Sequence, residues 1–168
     1  MQFSMYEASI PPMIRMLQNL SSILNKAAAQ TKDGKGDLTA LLEARLAPDM
    51  YPLTRQIQIT SDTAKGCAAR LSGQEPPSYP DTETTFPELL ARVAKTIDYL
   101  QSVKPEQVAG SENRKITLKF PNRTLDFTGC EYLTGFVLPN FYFHLTTAYD
   151  ILRHKGIQIG KMDYIGGA

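Results

Sequence analysis

Asn140 and His144 lie four residues apart in the segment PNFYFHLTTAYDILRHKG. On a helix that spacing puts both on one face, beside Val137, Ala148, Ile151 and Leu152. Such apolar company turns the face toward an interior. An imidazole there needs a partner for each ring nitrogen. It can ligate a metal, act as a general base, or be satisfied by neighbouring hydrogen-bonding groups. The second polar concentration is Gln56-Ile57-Gln58-Ile59-Thr60-Ser61-Asp62. Gln58 and Asp62 share a face, and Gln56 lies about 160° around from Gln58, so one of the two glutamines can point inward. Asp62 has a plainer option, a surface pair with Lys65 or Arg55 worth about 0–1 kcal/mol. His154 precedes Gly156 in a last helical turn, where its charge complements the helix dipole.

The chain has two histidines, ten residues apart, so a histidine-rich metal triad is out of reach. A divalent metal such as Zn²⁺ or Ni²⁺ would have to accept amide or carboxylate oxygens, and no cofactor is expected. Cys67 falls on an apolar helical stripe and reads as core. Cys130 stands near a helix N-terminus, where unpaired N–H groups favour a thiolate. The glycine-rich phosphate loops, the HExxH zinc motif and the GxSxG elbow are all missing from the sequence. Eighteen Lys and Arg against 17 Asp and Glu leave a net charge of +1, which gives no electrostatic case for a nucleic-acid partner. The start MQFSMYEASIPPM lacks the basic and apolar regions of a signal peptide, and no run nears the ~18 apolar residues that span a bilayer. Two cysteines without CxxC spacing are read as reduced thiols of a cytoplasmic protein.

These groups need elements to hold them. A 168-residue chain is one domain by length, residues 1–168, with a tail from about 157 that reads as irregular. Met13, Met16, Leu17, Leu20, Ile23, Leu24 and Ala27 make a helical stripe over 11–29, with Pro11-Pro12 in its first turn. TKDGKGD reads as a solvated loop. Asp37 caps a short helix carrying Leu38, Leu41 and Leu42. Asp49 caps the next long helix, which has Pro52 in its first turn and stops at Gly73. Gly66 inside it costs about 1 kcal/mol relative to Ala and points to a close helix–helix approach. After the proline-rich loop QEPPSYPDTET, Thr85 and Glu88 form a capping box for a helix ending near Lys104-Pro105. Ile116, Leu118 and Phe120, then Leu125 and Phe127, alternate about a Pro121-Asn122-Arg123 turn, which makes a β-hairpin. Thr128 and Glu131 open a last helix of about 27 residues, ~40 Å long, kinked at Pro139. Phe136, Phe141, Tyr142, Phe143 and Tyr149 crowd around His144. They cannot all face one core, so some line a cleft or a subunit interface. The architecture is all-α: a four-helix bundle with one short extra helix and a small β-hairpin before the last helix.

ARLAPDMYPLTRQIQITSDTAKGCAARLSG, DTETTFPELLARVAKTIDYLQS and PNFYFHLTTAYDILRHKG resemble an uncharacterised bacterial domain-of-unknown-function family of the DinB/YfiT-like four-helix-bundle superfamily. The likeness covers essentially the whole chain. It implies a homodimer with a pocket between the second and fourth long helices. Many relatives bind a divalent metal through one histidine on the second long helix and an HxxxH pair on the last, and some are thiol-dependent transferases or hydrolases. Carried onto this sequence, the HxxxH positions fall on Asn140 and His144, and the lone histidine's place falls within 56–62, best at Gln58. Only His144 matches. The resulting expectation is a cytoplasmic homodimer that binds an unknown small molecule, lacks an intact metal triad, and lines its pocket with Gln58, Asp62, Asn140, Tyr142 and His144. The alternative is a divalent-metal-dependent enzyme of the thiol-transferase or hydrolase type, with His144 as ligand and Asp62 or Gln58 completing the shell. A third reading is a structural oligomer joined through the aromatics near residue 142.

Overall fold

The computed structural model describes residues 4–32 and 37–166. Helix α1 (Met5–Lys32) starts earlier than its apolar stripe implies. Ser4 and Glu7 form a capping box: the Glu7 N–H donates to Ser4 Oγ at 3.2 Å, and the Ser4 N–H to Glu7 Oε2 at 3.0 Å. Pro11 and Pro12 therefore lie inside the helix rather than in its first turn. Of the loop TKDGKGD, Thr31 and Lys32 belong to α1, Asp37 caps α2 (Leu38–Leu42), and residues 33–36 lie outside the described residues. Helix α3 (Leu53–Leu71) is capped at Pro52, not at Asp49. The Pro52 carbonyl accepts the Gln56 N–H at 3.0 Å, and the proline ring holds the chain extended before the first turn.

Helix α4 (Phe86–Ser102) and the short α5 (Pro105–Val108) come next, with the expected Thr85–Glu88 box at the head of α4. A 3-10 turn leads into strands β1 (Ile116–Phe120) and β2 (Arg123–Phe127), which pair antiparallel from Ile116 opposite Phe127 to Phe120 opposite Arg123. The Thr128–Glu131 box opens α6 (Gly129–Glu131). The chain does not then simply kink at Pro139. Residues Tyr132–Val137 are π-helical, with the Leu138 N–H donating to the carbonyl of Leu133 five residues back, before α7 (Leu138–His154) resumes α geometry. Pro139 has no N–H and its ring would crowd the preceding turn of an α-helix; the wider π turn accommodates it.

The four long helices form a bundle: α3 packs between α4 and α7, and α1 closes the circuit against α4. Leu17, Leu24, Ile57, Val93, Phe141 and Ile151 are among its fully buried side chains, each worth about 1.5–3 kcal/mol on burial. The hairpin docks on the π-helical segment, with the Phe127 ring tilted against Tyr132 at 6.1 Å and Phe136 at 5.9 Å. The tail is not irregular throughout. Helix α8 (Lys161–Ile165) lies on α1, where Asn19 Nδ2 donates to the Tyr164 carbonyl at 2.9 Å and Lys26 pairs with Asp163. Five residues are too few to show a helical period in sequence. The space beside Gly66 is taken by a side chain of its own helix: a Cβ there would come within 2.5 Å of Arg70 Nη1, with the Tyr132 hydroxyl beyond at 3.8 Å. Among the described residues, no helix is long and apolar enough to cross a membrane.

Candidate functional site

The seam between α3 and α7 carries the polar groups, and the helices run antiparallel along it. His144 is 9% exposed, and its Nδ1 lies 2.6 Å from Gln56 Oε1. The amide nitrogen of Gln56 donates to the Tyr51 carbonyl at 3.0 Å, which fixes Gln56 Oε1 as an acceptor. The proton of the neutral ring therefore sits on Nδ1, and Nε2 carries the lone pair. Burial, with Arg55 nearby, holds the imidazole below its ordinary pKa of 6.5, so the ring is neutral at pH 7. Of the two glutamines, Gln56 is the one that faces α7; it is 1% exposed.

Gln58 and Asp62 point elsewhere, toward α4 and the loop before it. Gln58 Nε2 donates to Glu83 at 2.9 Å, and Arg55 donates to Gln58 Oε1 at 3.2 Å while also pairing with Asp81. The centre of this cluster is Arg92, whose side chain is 2% exposed. Its Nη2 donates to Asp62 at 2.7 Å and its Nη1 to Glu83 at 2.9 Å, with Asp81 at 3.0 Å. Asp62 also pairs with Lys65 at 2.8 Å. A closed ring of bonds locks the guanidinium: Arg92 Nε donates to Ser61 Oγ, Ser61 shares a 2.7 Å bond with Thr96, and the Thr96 hydroxyl donates to the Arg92 carbonyl. Burial opposes the charge of Arg92, but the Glu83 bond and the carboxylates of Asp62, Glu83 and Asp81 outweigh it and raise the pKa further. Sequence reasoning did not single out Arg92. Its sign was there: an arginine three residues after Leu89 and next to Val93, on the buried side of α4.

Asn140 sits one turn before His144 and donates to Thr63 Oγ1 at 2.8 Å. Beside it a cleft of about 230 Å³ opens between α3, the hairpin and the π-helical segment, lined by Asp62, Thr63, Asn140, Phe120, Tyr132 and Phe136 among others. Of the five residues expected in one pocket, Asp62 and Asn140 thus line a common cleft. His144 lies a turn beyond it, and Gln58 faces the Arg92 cluster. Tyr142, half-buried, stands edge-on to Phe141 at 5.4 Å, and its position two residues before His144 puts it on a different face of α7.

No group of three His, Cys, Asp or Glu side chains able to hold a metal ion occurs among the described residues. The residues placed where the resemblance puts metal ligands are bound to other partners: Asn140 to Thr63, Gln58 to Glu83 and Arg55. Such a donor set does not fit a transition metal, which favours imidazole and thiolate over amide oxygen. Cys67 is fully buried and its thiol is pushed up to about 12, so it is inert core. Cys130 is exposed, and both thiols are unpaired.

The fold and the seam define a helical bundle with a small antiparallel hairpin before its last helix. The chain belongs to the family described as a domain of unknown function, DUF1993, which it matches over residues 5–165. It is 40% identical to a DinB family member from Shewanella denitrificans whose crystal structure superposes with a TM-score of 0.88, over 97% of this chain and 92% of that one. No match is found among curated proteins.

Proposed function

We propose that the protein is a cytoplasmic homodimeric bundle that binds a small molecule in the cleft that α3, the hairpin and the π-helical segment form beside the start of α7, and that it uses no divalent metal. The observation that carries this reading is the cleft itself. It has an aromatic wall of Phe120, Tyr132 and Phe136 and a few polar groups from Asp62, Thr63 and Asn140, the composition of a small-molecule site. His144 supports the seam one turn away: its Nδ1 proton is committed to Gln56, which stiffens the contact between the two helices. The absence of a metal from the mechanism rests on the engagement of Asn140 and Gln58 with other side chains. The homodimer rests on two exposed aromatic rings available to a second copy: Phe143, 55% exposed and edge-on to His144 at 5.1 Å, and Tyr51, 56% exposed, whose carbonyl accepts from the Gln56 amide that meets His144. Two unpaired thiols suit a reducing compartment.

Aromatic fragments added to isotope-labelled protein are expected to move the amide signals of Thr63, Thr117 and Asn140. The substitution Asn140→Phe, which fills the cleft, is expected to abolish those shifts. Fragments that gather elsewhere refute the location. In parallel, untagged protein dialysed against Zn²⁺ or Ni²⁺ is expected to retain far less than one equivalent. Stoichiometric metal that disappears in His144→Ala would establish the metal-dependent enzyme in place of this reading.

A further inference from the structure

The cleft does not end at Phe120. Arg70, Thr117 and Lys119 line both the cleft and a wider groove of about 860 Å³, which runs between the C-terminal end of α3 and the start of β1. Arg70, Arg114, Lys115 and Lys119 stand on the groove, with Glu75 as the one carboxylate among its lining residues. Asp126, across from Thr117 on β2, accepts the Thr117 hydroxyl at 2.5 Å. In a chain of net charge +1 this is a local concentration of positive charge. Among the described residues, none of the four cations forms an ion pair.

The two arginines are held in place by neutral acceptors. Arg70 Nη1 donates to the Tyr132 hydroxyl at 3.1 Å, and Arg114 Nη1 donates to the Leu71 carbonyl at 2.7 Å. Burial keeps the Tyr132 phenol protonated, its pKa pushed up to about 12. Two glycines make room for these guanidinium groups. A Cβ at Gly66 would come within 2.5 Å of Arg70 Nη1, and one at Gly73, whose φ is +76°, within 2.6 Å of Arg114 Nη1. Each guanidinium has five N–H donors, and one nitrogen of each is engaged here. Positioned, uncompensated guanidinium forks beside two lysines are the equipment for a dianion with several terminal oxygens; a single carboxylate would occupy one fork.

We propose that groove and cleft together bind a small phosphate monoester with an aromatic body. The phosphate lies among Arg70, Arg114 and Lys119, and the ring rests against Phe120 and Phe136. This deepens the proposed function and rests on the cleft being a small-molecule site. The test is a titration of isotope-labelled protein, followed through its amide signals, with phenyl phosphate, inorganic phosphate and phenol. Phenyl phosphate is expected to move Arg70, Gly73, Arg114 and Lys119 together with Thr117 and Asn140, and to bind at least about 10-fold more tightly than either fragment. Arg114→Gln and Lys119→Gln are each expected to weaken phenyl phosphate about 10-fold and leave phenol unchanged. Lys119 is exposed and makes no side-chain bond among the described residues, so Lys119→Gln reports on binding even if Arg114→Gln fails to fold. Phenol binding as tightly as phenyl phosphate overturns the anionic assignment and leaves the pocket standing. Inorganic phosphate binding as tightly as phenyl phosphate overturns the aromatic one. A single-stranded oligonucleotide that displaces phenyl phosphate at lower concentration overturns the small-molecule assignment, and silence from every probe removes pocket and groove together.

Discussion

Desolvation decides the charge of His144, and the hydrogen-bond chain from Tyr51 through Gln56 decides where its proton sits. The folded-state pKa lies below the unfolded value, so on acidification the unfolded chain takes up the proton first. Stability is therefore unaffected at pH 7 and above and falls as the pH drops through about 6.5. The carboxylates with shifted pKa, Glu7, Glu88, Glu131 and Asp163, are all lowered, so their contribution begins to be lost only when the pH falls into the ordinary carboxylate range, from about 4.5, and goes on being lost below it. Urea midpoints between pH 7 and 5 should decline for the natural protein and stay level for His144→Gln; an equal decline in both would acquit the histidine. The inward orientation of His144 was legible from its apolar neighbours at helical spacing. Its partner was not, because Gln56 and Gln58 are both amides and the choice between them depends on the rotation of α3 against α7.

The elements show how local chemistry and packing divide the work. Capping boxes at Thr85 and Thr128 can be read from four residues, because both partners lie within one turn. The Ser4–Glu7 box has the same form and marks the true start of α1, although Pro11-Pro12 downstream carries an equally local helix-start signal. The π-helical segment is different in kind. Pro139 predicts a disturbance, but whether the chain bends or widens depends on what the hairpin presses against Tyr132 and Phe136. Gly129 is a comparable case, since a Cβ there would collide with the Ser111 carbonyl oxygen, a contact between segments far apart in sequence. Gly129→Ala is expected to cost more than about 2 kcal/mol in urea denaturation, in the range of overpacked sites. A loss under about 0.5 kcal/mol, as for an ordinary surface substitution, would show that the hairpin junction yields easily.

At the scale of the whole molecule, Arg92 ties α3, α4 and the proline-rich loop together through Asp62, Asp81 and Glu83. Its removal leaves three carboxylates facing one another. Because Asp62 and Asp81 retain access to water, Arg92→Met is expected to cost about 3 kcal/mol, the low end for a broken buried pair, read from urea midpoints. Unchanged stability would show that water replaces the guanidinium. The exposed aromatic face belongs to the same scale: sedimentation is expected to give a dimer for the natural protein and a monomer for Phe143→Ser with Tyr51→Ser, and a monomeric natural protein ends the dimer proposal.

The sequence alone determined the bundle, its long helices, two of its capping boxes, the hairpin and the buried imidazole, because all of these arise from spacing within a few residues or from periodic apolar stripes. Tertiary structure alone decided which glutamine meets His144, that Gln58 turns to Glu83 in the Arg92 cluster and away from the cleft Asp62 and Asn140 share, and that two glycines open space for Arg70 and Arg114 beside the hairpin. Those outcomes are set by relative rotation, by packing between distant segments and by competition among ionic partners, and no local pattern of residues encodes them.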